Sequence, residues 1–301
     1  MSARKDSHLG KWLVSGPPLA YLVVFFAAPT LIMVLASFRS PGEFGGLAPL
    51  VDEAGKVDLN ADSYVRFLTE TVYAAVFMKS IVYALVTTLA CLAIAYPLAA
   101  LVAKSPKKYR DLLLLLVILP FWSNFLIRIY AWMIILGPQA ALARGVNGVL
   151  AWFGHEPAPL LFSSFAVLVC LVYVHLPFMV LPLYANLEKH DPTLLDAAQD
   201  LGAGAWQRFW RITFPLSLPG VYAGAALVFI PALGIFAIPD ILGGPGDTLI
   251  GNLIKQQFLE TRDWPFGSVL SIVLTVSALL LAGLAAWVGR RSLGTPREVR
   301  G

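Results

Sequence analysis

The chain reads as an all-α integral membrane protein with six transmembrane helices. Three observations predict this class. Apolar residues make up 58% of the 301 and charged residues only 13%, where a soluble chain carries about a quarter charged. The apolar residues fall in runs long enough to cross hydrocarbon, which takes roughly 20 residues at a rise of ~1.5 Å each. No polar face interrupts those runs at every turn, as a soluble amphipathic helix requires.

Six spans are legible, at residues 13–38, 80–103, 112–136, 160–187, 216–239 and 266–289. Each is expected to be a helix, because backbone groups in hydrocarbon must be satisfied within the segment. Pro29, Pro97, Pro120, Pro177 and Pro231 lie inside them and are expected to bend rather than end the helices. The first run follows a basic start, "MSARKDSHLGKW". It is too long for a signal core and no small-x-small cleavage site follows, so an uncleaved first span is expected.

Lys and Arg in the loops set the orientation. One side holds Arg4, Lys5, Lys11, Lys104, Lys107, Lys108, Arg110, Lys189, Arg208, Arg211, Arg290, Arg291, Arg297 and Arg300, which is 14 residues. The other holds 7: Arg39, Lys56, Arg66, Lys79, Arg144, Lys255 and Arg262. Both termini fall on the richer side and are therefore expected in the cytoplasm. This clustering beside the spans accounts for the net charge of +4 and argues against nucleic acid as a partner. Cys91 and Cys170 sit inside apolar runs, which implies packing rather than a disulfide or a metal framework.

The loop at residues 39–79 carries Asp52, Glu53, Asp58, Asp62 and Glu70 and has room for a short helix with irregular structure. It sets the first span apart as a peripheral addition to a core of five. The final "RRSLGTPREVRG" reads as a disordered cytoplasmic tail.

One polar segment stands out between the fourth and fifth spans, "DPTLLDAAQDLGAGAWQRFWRITFPLSLPG" at 191–220. Asp191 is a good N-cap and Pro192 suits the first helical position. "TLLDAAQDL" then makes a short helix that Gly202 and Gly204 break. "AWQRFWRI" makes a second, with Trp206, Phe209 and Trp210 on one face, which Pro215 and Pro219 end. Ala197 and Ala198 leave a flat face, and Asp196 can accept from a partner's Arg or hold Arg208 or Arg211. A hairpin lying on the membrane surface with its Trp residues at the headgroups is the alternative. It leaves the alanine pair and the glycine at fixed distance unexplained.

The spacing resembles the cytoplasmic signature of ABC importer permeases, E-A-A-x3-G-x9-I-x-L-P. Here it reads Asp196-Ala197-Ala198, three residues, Gly202, nine residues, then Ile212-Thr213-Phe214-Pro215. Asp replaces Glu and Phe replaces Leu. The resemblance implies the type I (MetI-like) permease fold, with a domain at 75–290 and coupling helices at 191–213. Residues 1–74 would hold the tail, first span and long periplasmic loop, and 291–301 the second tail. It also implies ATPase-coupling roles for Leu195, Asp196, Ala197, Ala198, Gly202, Arg208, Ile212 and Pro215. "LPFWSNFLIRIYAW" (119–132), "YVHLPFMVLPLYANLEK" (173–189), "PALGIFAIPDILGG" (231–244) and "IGNLIKQQFLETRDWPFGS" (250–268) are similar to spermidine/putrescine-type permeases. That group also includes importers of opines and organophosphonates. Gly234-Ile235-Phe236 departs from the Gly-Glu-Phe of many polyamine permeases.

The expected function is therefore the permease subunit of an ABC importer in the bacterial inner membrane, half of a pathway for a small solute, with a polyamine as the leading candidate. The partners implied are an ATP-binding subunit dimer, a second permease in a heterodimer, a periplasmic solute-binding protein and the lipid bilayer. There is no phosphate loop of the G-x-x-x-x-G-K-[ST] type, so ATP and Mg are expected on the partner, with no cofactor, metal or catalytic residue in this chain.

Polar and aromatic residues at membrane depth are the pathway candidates: Trp122, Asn124, Arg128, Trp132, Tyr173, His175 and Asp240. Trp122, Trp132 and Tyr173 suit cation–π contact with an ammonium, or packing. Arg128 can line the path, pair with Asp240 or snorkel outward. His175 can face the path or bond a backbone carbonyl. Asp240 can cap the next segment or attract a cation. An ion-coupled secondary transporter would show inverted repeats and intramembrane carboxylates, and neither is evident. A membrane enzyme would cluster its ligating or catalytic residues, whereas His8, His155, His175 and His190 are scattered.

Overall fold

The computed structural model describes residues 8–51, 55 and 57–292. Arg4, Lys5, Asp52, Glu53, Lys56 and most of the C-terminal tail, residues 293–301, lie outside the described residues. Among the described residues every regular element is a helix, and the loops add two isolated bridges, Pro41 with Leu47 and Val51 with Val57. Six stretches are long and apolar enough to cross a membrane: Ser15–Ala36, Thr71–Lys104, Phe125–Trp152, Ser164–Leu187, Ala205–Gly234 and Trp264–Ala285. The chain divides into two compact units, Met1–Ala74 with Leu253–Thr275, and Ala75–Asn252 with Val276–Gly301.

The first unit begins with α1 (His8–Leu22), a π-turn (Val23–Ala27) and α2 (Ala28–Ala36). Pro29 cannot donate to the α-ladder. The wider turn before it carries the chain past that gap, with Ala28 N–H on the Val23 carbonyl. The following loop folds on Asp58, whose carboxylate accepts from Ser40 N at 2.9 Å and Ser40 Oγ at 2.7 Å. The Ser40 backbone bond, with the Ser40 hydroxyl and Arg39, outweighs burial and holds the Asp58 carboxyl below its usual range. The short helix expected here is α3 (Asp62–Thr69). Its Arg66 donates to Asp263 at 3.1 Å and to Tyr73 Oη at 2.8 Å, with its guanidinium 4.3 Å from the Phe266 ring centre.

The second unit holds most of α4 (Thr71–Lys104), then α5 (Lys107–Ile118), α6 (Phe125–Leu136), α7 (Ala141–Trp152) and α8 (Ser164–Leu187). The two short helices α9 (Thr193–Asp200) and α10 (Ala205–Arg208) precede α11 (Phe214–Gly234) and α12 (Ala237–Leu242). α13 (Ile250–Leu259) and α14 (Trp264–Ser292) each have residues assigned to both units. α8 is apolar on all sides and therefore central. Its N-terminal half joins a core of Ile129, Val167, Leu171 and Ile238; its C-terminal half joins Cys91, Ala95, Met179, Leu183 and Val228. α11 approaches α8 closely through Gly220 and Gly224. A Cβ at Gly220 would lie 2.8 Å from Asn186 Cβ and 3.0 Å from the Pro182 carbonyl. Small residues four apart are a common device for close helix contact in membranes.

Two spans differ from expectation. The third, read as one helix over 112–136, is broken. α5 ends at Ile118, a 3₁₀ turn covers Leu119–Trp122, and Ser123 and Asn124 are extended at ψ 149° and 141°. Pro120 is the cause, and Asn124 restarts the helix by capping Leu126 N at 2.8 Å. The fifth span does not start after a terminating Pro215. α10 runs through a π-turn (Phe209–Thr213) into α11. The π-turn bonds Phe214 N–H to the Phe209 carbonyl, and so absorbs the proline without ending the helix.

Candidate functional site

The segment at 191–215 folds as a two-helix knob. Asp191 Oδ1 accepts from Thr193 N at 2.9 Å, which starts α9 and lowers the carboxyl's pKa. Gly202 then reverses the chain at φ +82°, in the left-handed region that side chains disfavour. Arg208 of α10 reaches back to Gln199 Oε1 at 2.6 Å and ties the two helices together. The sequence offered Asp196 for that tie; in the structure the acceptor is an amide one turn further on. Between the helices lies a cleft of about 400 Å³ lined by Ala198, Leu201, Gly202, Ala203, Gln207, Arg208, Arg211 and Ile212. Asp196 and Ala197 are exposed on α9, while Leu195 and Ala198 are half-buried.

Among the aromatic residues of the knob, Phe209 packs onto the body of the protein. Phe209 meets Tyr96 of α4 edge-on at 5.4 Å, Trp210 at 5.1 Å and Phe214 at 6.1 Å. Tyr96 Oη and Ser217 Oγ share a hydrogen bond of 2.9 Å. Trp206 and Trp210 keep exposed edges, as a membrane-surface role would also require. Nearby, Arg110 at the start of α5 pairs with Glu188 at the end of α8 and donates to the Ala103 carbonyl at 3.1 Å.

The membrane-depth residues do not form one cluster. Trp122 is 75% exposed at the break in the third span, with Asn124 beside it. Arg128 turns back onto the same break. Its guanidinium donates to the Pro120 carbonyl at 3.0 Å and lies 5.3 Å from the Phe121 ring centre. Ser123 Oγ donates to that carbonyl at 2.8 Å, so the acceptor released by the break is satisfied twice. Trp132 and Tyr173 meet edge to face at 5.5 Å and pack against the first core. His175 is 3% exposed and donates from Nδ1 to the Leu171 carbonyl at 2.8 Å, the geometry of a packed ring bound to its own helix.

Asp240 lines a second cleft of about 520 Å³, with Phe162, Gly243, Gly244, Asp247 and Asn252 among its neighbours. Its carboxylate accepts from the Asn252 amide. The organising residue of this cleft is Asp247, which the sequence left unmarked. Its Oδ1 accepts from Ser164 Oγ at 2.5 Å, Tyr83 Oη at 2.7 Å and Lys79 Nζ at 3.3 Å; its Oδ2 accepts from Gly244 N at 2.9 Å. Burial opposes its charge, but these donors outweigh burial and bring its pKa down to about 2. The only forewarning was a Lys at the edge of a span and an Asp after a glycine-rich turn, 168 residues apart.

The family model of the binding-protein-dependent transport system inner membrane component matches residues 95–293. The spermidine/putrescine transport system permease protein PotB of Escherichia coli (strain K12) is 44% identical over 283 residues, 93% of this chain and 98% of the relative. The PotB protein of Haemophilus influenzae is 42% identical over 266 residues, 87% and 88% of the two chains. The inner membrane ABC transporter permease protein YdcU of Escherichia coli (strain K12) is 30% identical over 237 residues, 72% of this chain and 73% of the relative. Among solved structures, a chain of a bacterial ABC transporter involved in the import of the acidic polysaccharide alginate superposes with a TM-score of 0.71, covering 93% of this chain and 96% of that one. At 19% identity that likeness speaks to the fold alone. On these matches this chain belongs to the family of inner-membrane components of binding-protein-dependent transport systems.

Proposed function

We propose that this permease forms half of the membrane pathway of an ATP-driven polyamine importer, paired with a second, different permease. The observation that carries the solute class is the 44% identity to a spermidine/putrescine permease across nearly the whole of both chains. The knob at 191–215 is the socket for a separate ATPase dimer, which binds ATP and Mg. Leu195, Asp196, Ala197 and Ala198 present α9 to it, and Gly202, Arg208, Ile212 and Pro215 hold the knob's shape. Both termini lie in the cytoplasm, which the excess of Lys and Arg on that side supports. A periplasmic binding protein delivers the solute to the opposite face. The pathway wall includes the break at Leu119–Asn124, because non-helical backbone at membrane depth is tolerated only inside protein or beside water.

The working cycle follows from rigid-body rocking. Closure of the ATPase dimer draws the two permease knobs together, and the helices continuous with them swing the pathway from one side to the other. Trp122, Asn124 and Arg128 at the break, with Asp240 at the outer cleft, then meet the solute in turn. Reconstituted with its ATPase, second permease and binding protein, the transporter is expected to accumulate labelled spermidine or putrescine. Gly202→Asp and Asp196→Lys are expected to insert normally yet hydrolyse ATP without uptake. Uptake confined to anionic solutes overturns the solute class; full uptake by both variants overturns the coupling role.

A further inference from the structure

The helix α7 (Ala141–Trp152) has a face that none of the described residues covers. It cannot be a crossing helix by itself: 12 residues at ~1.5 Å make about 18 Å, well short of the ~30 Å of hydrocarbon. Phe125–Trp152 taken as a whole is long and apolar enough to cross, but α7 does not continue α6 within that stretch. Gly137 at ψ 152° and Ala140 at ψ 148° are extended and turn the chain out of the preceding helix.

One side of α7 packs on α6, with Ala143 buried and Val146, Asn147 and Leu150 half-buried. The adjoining side carries Leu142, Val149 and Phe153 in one row with Trp152 beside them, exposed by 47%, 55%, 68% and 84%. The Trp152 and Phe153 rings lie 5.4 Å apart. Arg144 and Gly148 are exposed on the remaining side. Beyond Phe153, Gly154 at φ +75° turns the chain, and Ala158 N donates to Asn147 Oδ1 at 3.0 Å, so the next segment folds back along the helix. The pattern is that of a helix lying in an interface: an apolar row ending in aromatic rings, with an Arg able to reach phosphate. The covering material is lipid, because α7 follows by one short connection on α6, which itself exposes Ile127, Tyr130 and Ile134 within an apolar, membrane-length stretch.

We infer that α7 is an interfacial membrane anchor. It lies in the headgroup layer of the leaflet opposite the coupling knob, with Leu142, Val149, Trp152 and Phe153 in the upper acyl region and Arg144 among the phosphates. The anchor sets the depth of α6, and so of the Pro120 break that Arg128 closes. It rests on α6 lying in the membrane and not on which solute passes, so a different solute leaves it intact.

The test uses the assembled transporter in proteoliposomes. Phe153→Cys carries a bimane label, while Cys91 and Cys170, both buried, stay in place. Lipids brominated near the headgroup end of the acyl chain are expected to remove about half or more of the emission, for a face buried roughly 5–10 Å. Lipids brominated near the chain terminus should quench less, and a label at Arg144→Cys should stay bright. Val149→Cys gives a second reading should the label at 153 disturb its own position. Equal emission in brominated and plain lipid at both 149 and 153 overturns the inference. So does emission that changes only on adding the binding protein, since that protein would then be the cover.

Discussion

At Asp247, hydroxyls from two helices, a lysine and a backbone N–H converge on one carboxylate. Removing the acceptor strands those donors in a site where Asp247 itself is only 6% exposed. Breaking such a pair from one side costs about 3–5 kcal/mol, so Asp247→Ala is expected to melt well below the parent in detergent. Asp247→Asn, which keeps one acceptor oxygen, should fall between. The sign with pH follows from a folded-state pKa lowered from 3.8 to about 2. The stabilisation is complete above the unfolded value and is lost as pH falls from 3.8 towards 2, because the unfolded chain takes up the proton first. A melt series across that window should show the parent losing stability more steeply than Asp247→Ala; parallel curves would sink the assignment. None of this was readable in sequence, since the donors arrive from chain positions with no spacing relation to Asp247. Asp240 was singled out instead for its place at the end of a span, and His175 for being a histidine in a membrane.

Elements were legible where length and composition decide and illegible where one proline decides. Six apolar runs gave six spans because hydrocarbon thickness fixes helix length. A proline in such a run, however, can kink a helix, open a π-turn or break it. Pro29 and Pro215 lie beside π-turns and Pro120 at a break. The choice depends on which neighbours take up the released carbonyl, as Ser123 and Arg128 do for Pro120. Close helix contact was also missed. Gly220 and Gly224 look like any small residues of a span until α8 is set against them. Even one methyl at Gly220 meets Asn186 Cβ and two backbone groups within 3.2 Å. Gly220→Ala is therefore expected to destabilise by about 1–3 kcal/mol through overpacking. Gly145→Ala, whose added Cβ would meet nothing within 4 Å, should gain about 0.5–1 kcal/mol from helix propensity. Equal melting temperatures for the two variants would contradict the α8–α11 contact.

In the molecule as a whole, the useful fact is continuity. α10, the π-turn and α11 form one uninterrupted helical path from the knob to Gly234, and α11 is locked to α8 along its length. At the far end a Cβ on Gly251 would lie 2.5 Å from the Gly234 carbonyl, so the start of α13 rests directly on the end of α11. Under the coupling proposed above, a push on the knob would reach the start of α13, next to the Asp247 loop, through this helical path and close backbone contact. The weakest point of this path is the π-turn, where the hydrogen-bond ladder is widest and side chains must supply stiffness. Phe209 supplies it, seated among Tyr96, Trp206, Trp210 and Phe214. Phe209→Ala empties the centre of that cluster, and a buried Phe truncated to Ala typically costs about 3–5 kcal/mol where the site cannot collapse. Half-buried as Phe209 is, the variant should still fold, but with a compliant joint between knob and span. ATP hydrolysis by the assembled transporter should then persist while solute moved per ATP falls several-fold. Phe209→Leu, which refills the centre, should restore most of the ratio. Parallel loss of hydrolysis and transport in Phe209→Ala would show that the aromatic cluster serves assembly rather than transmission.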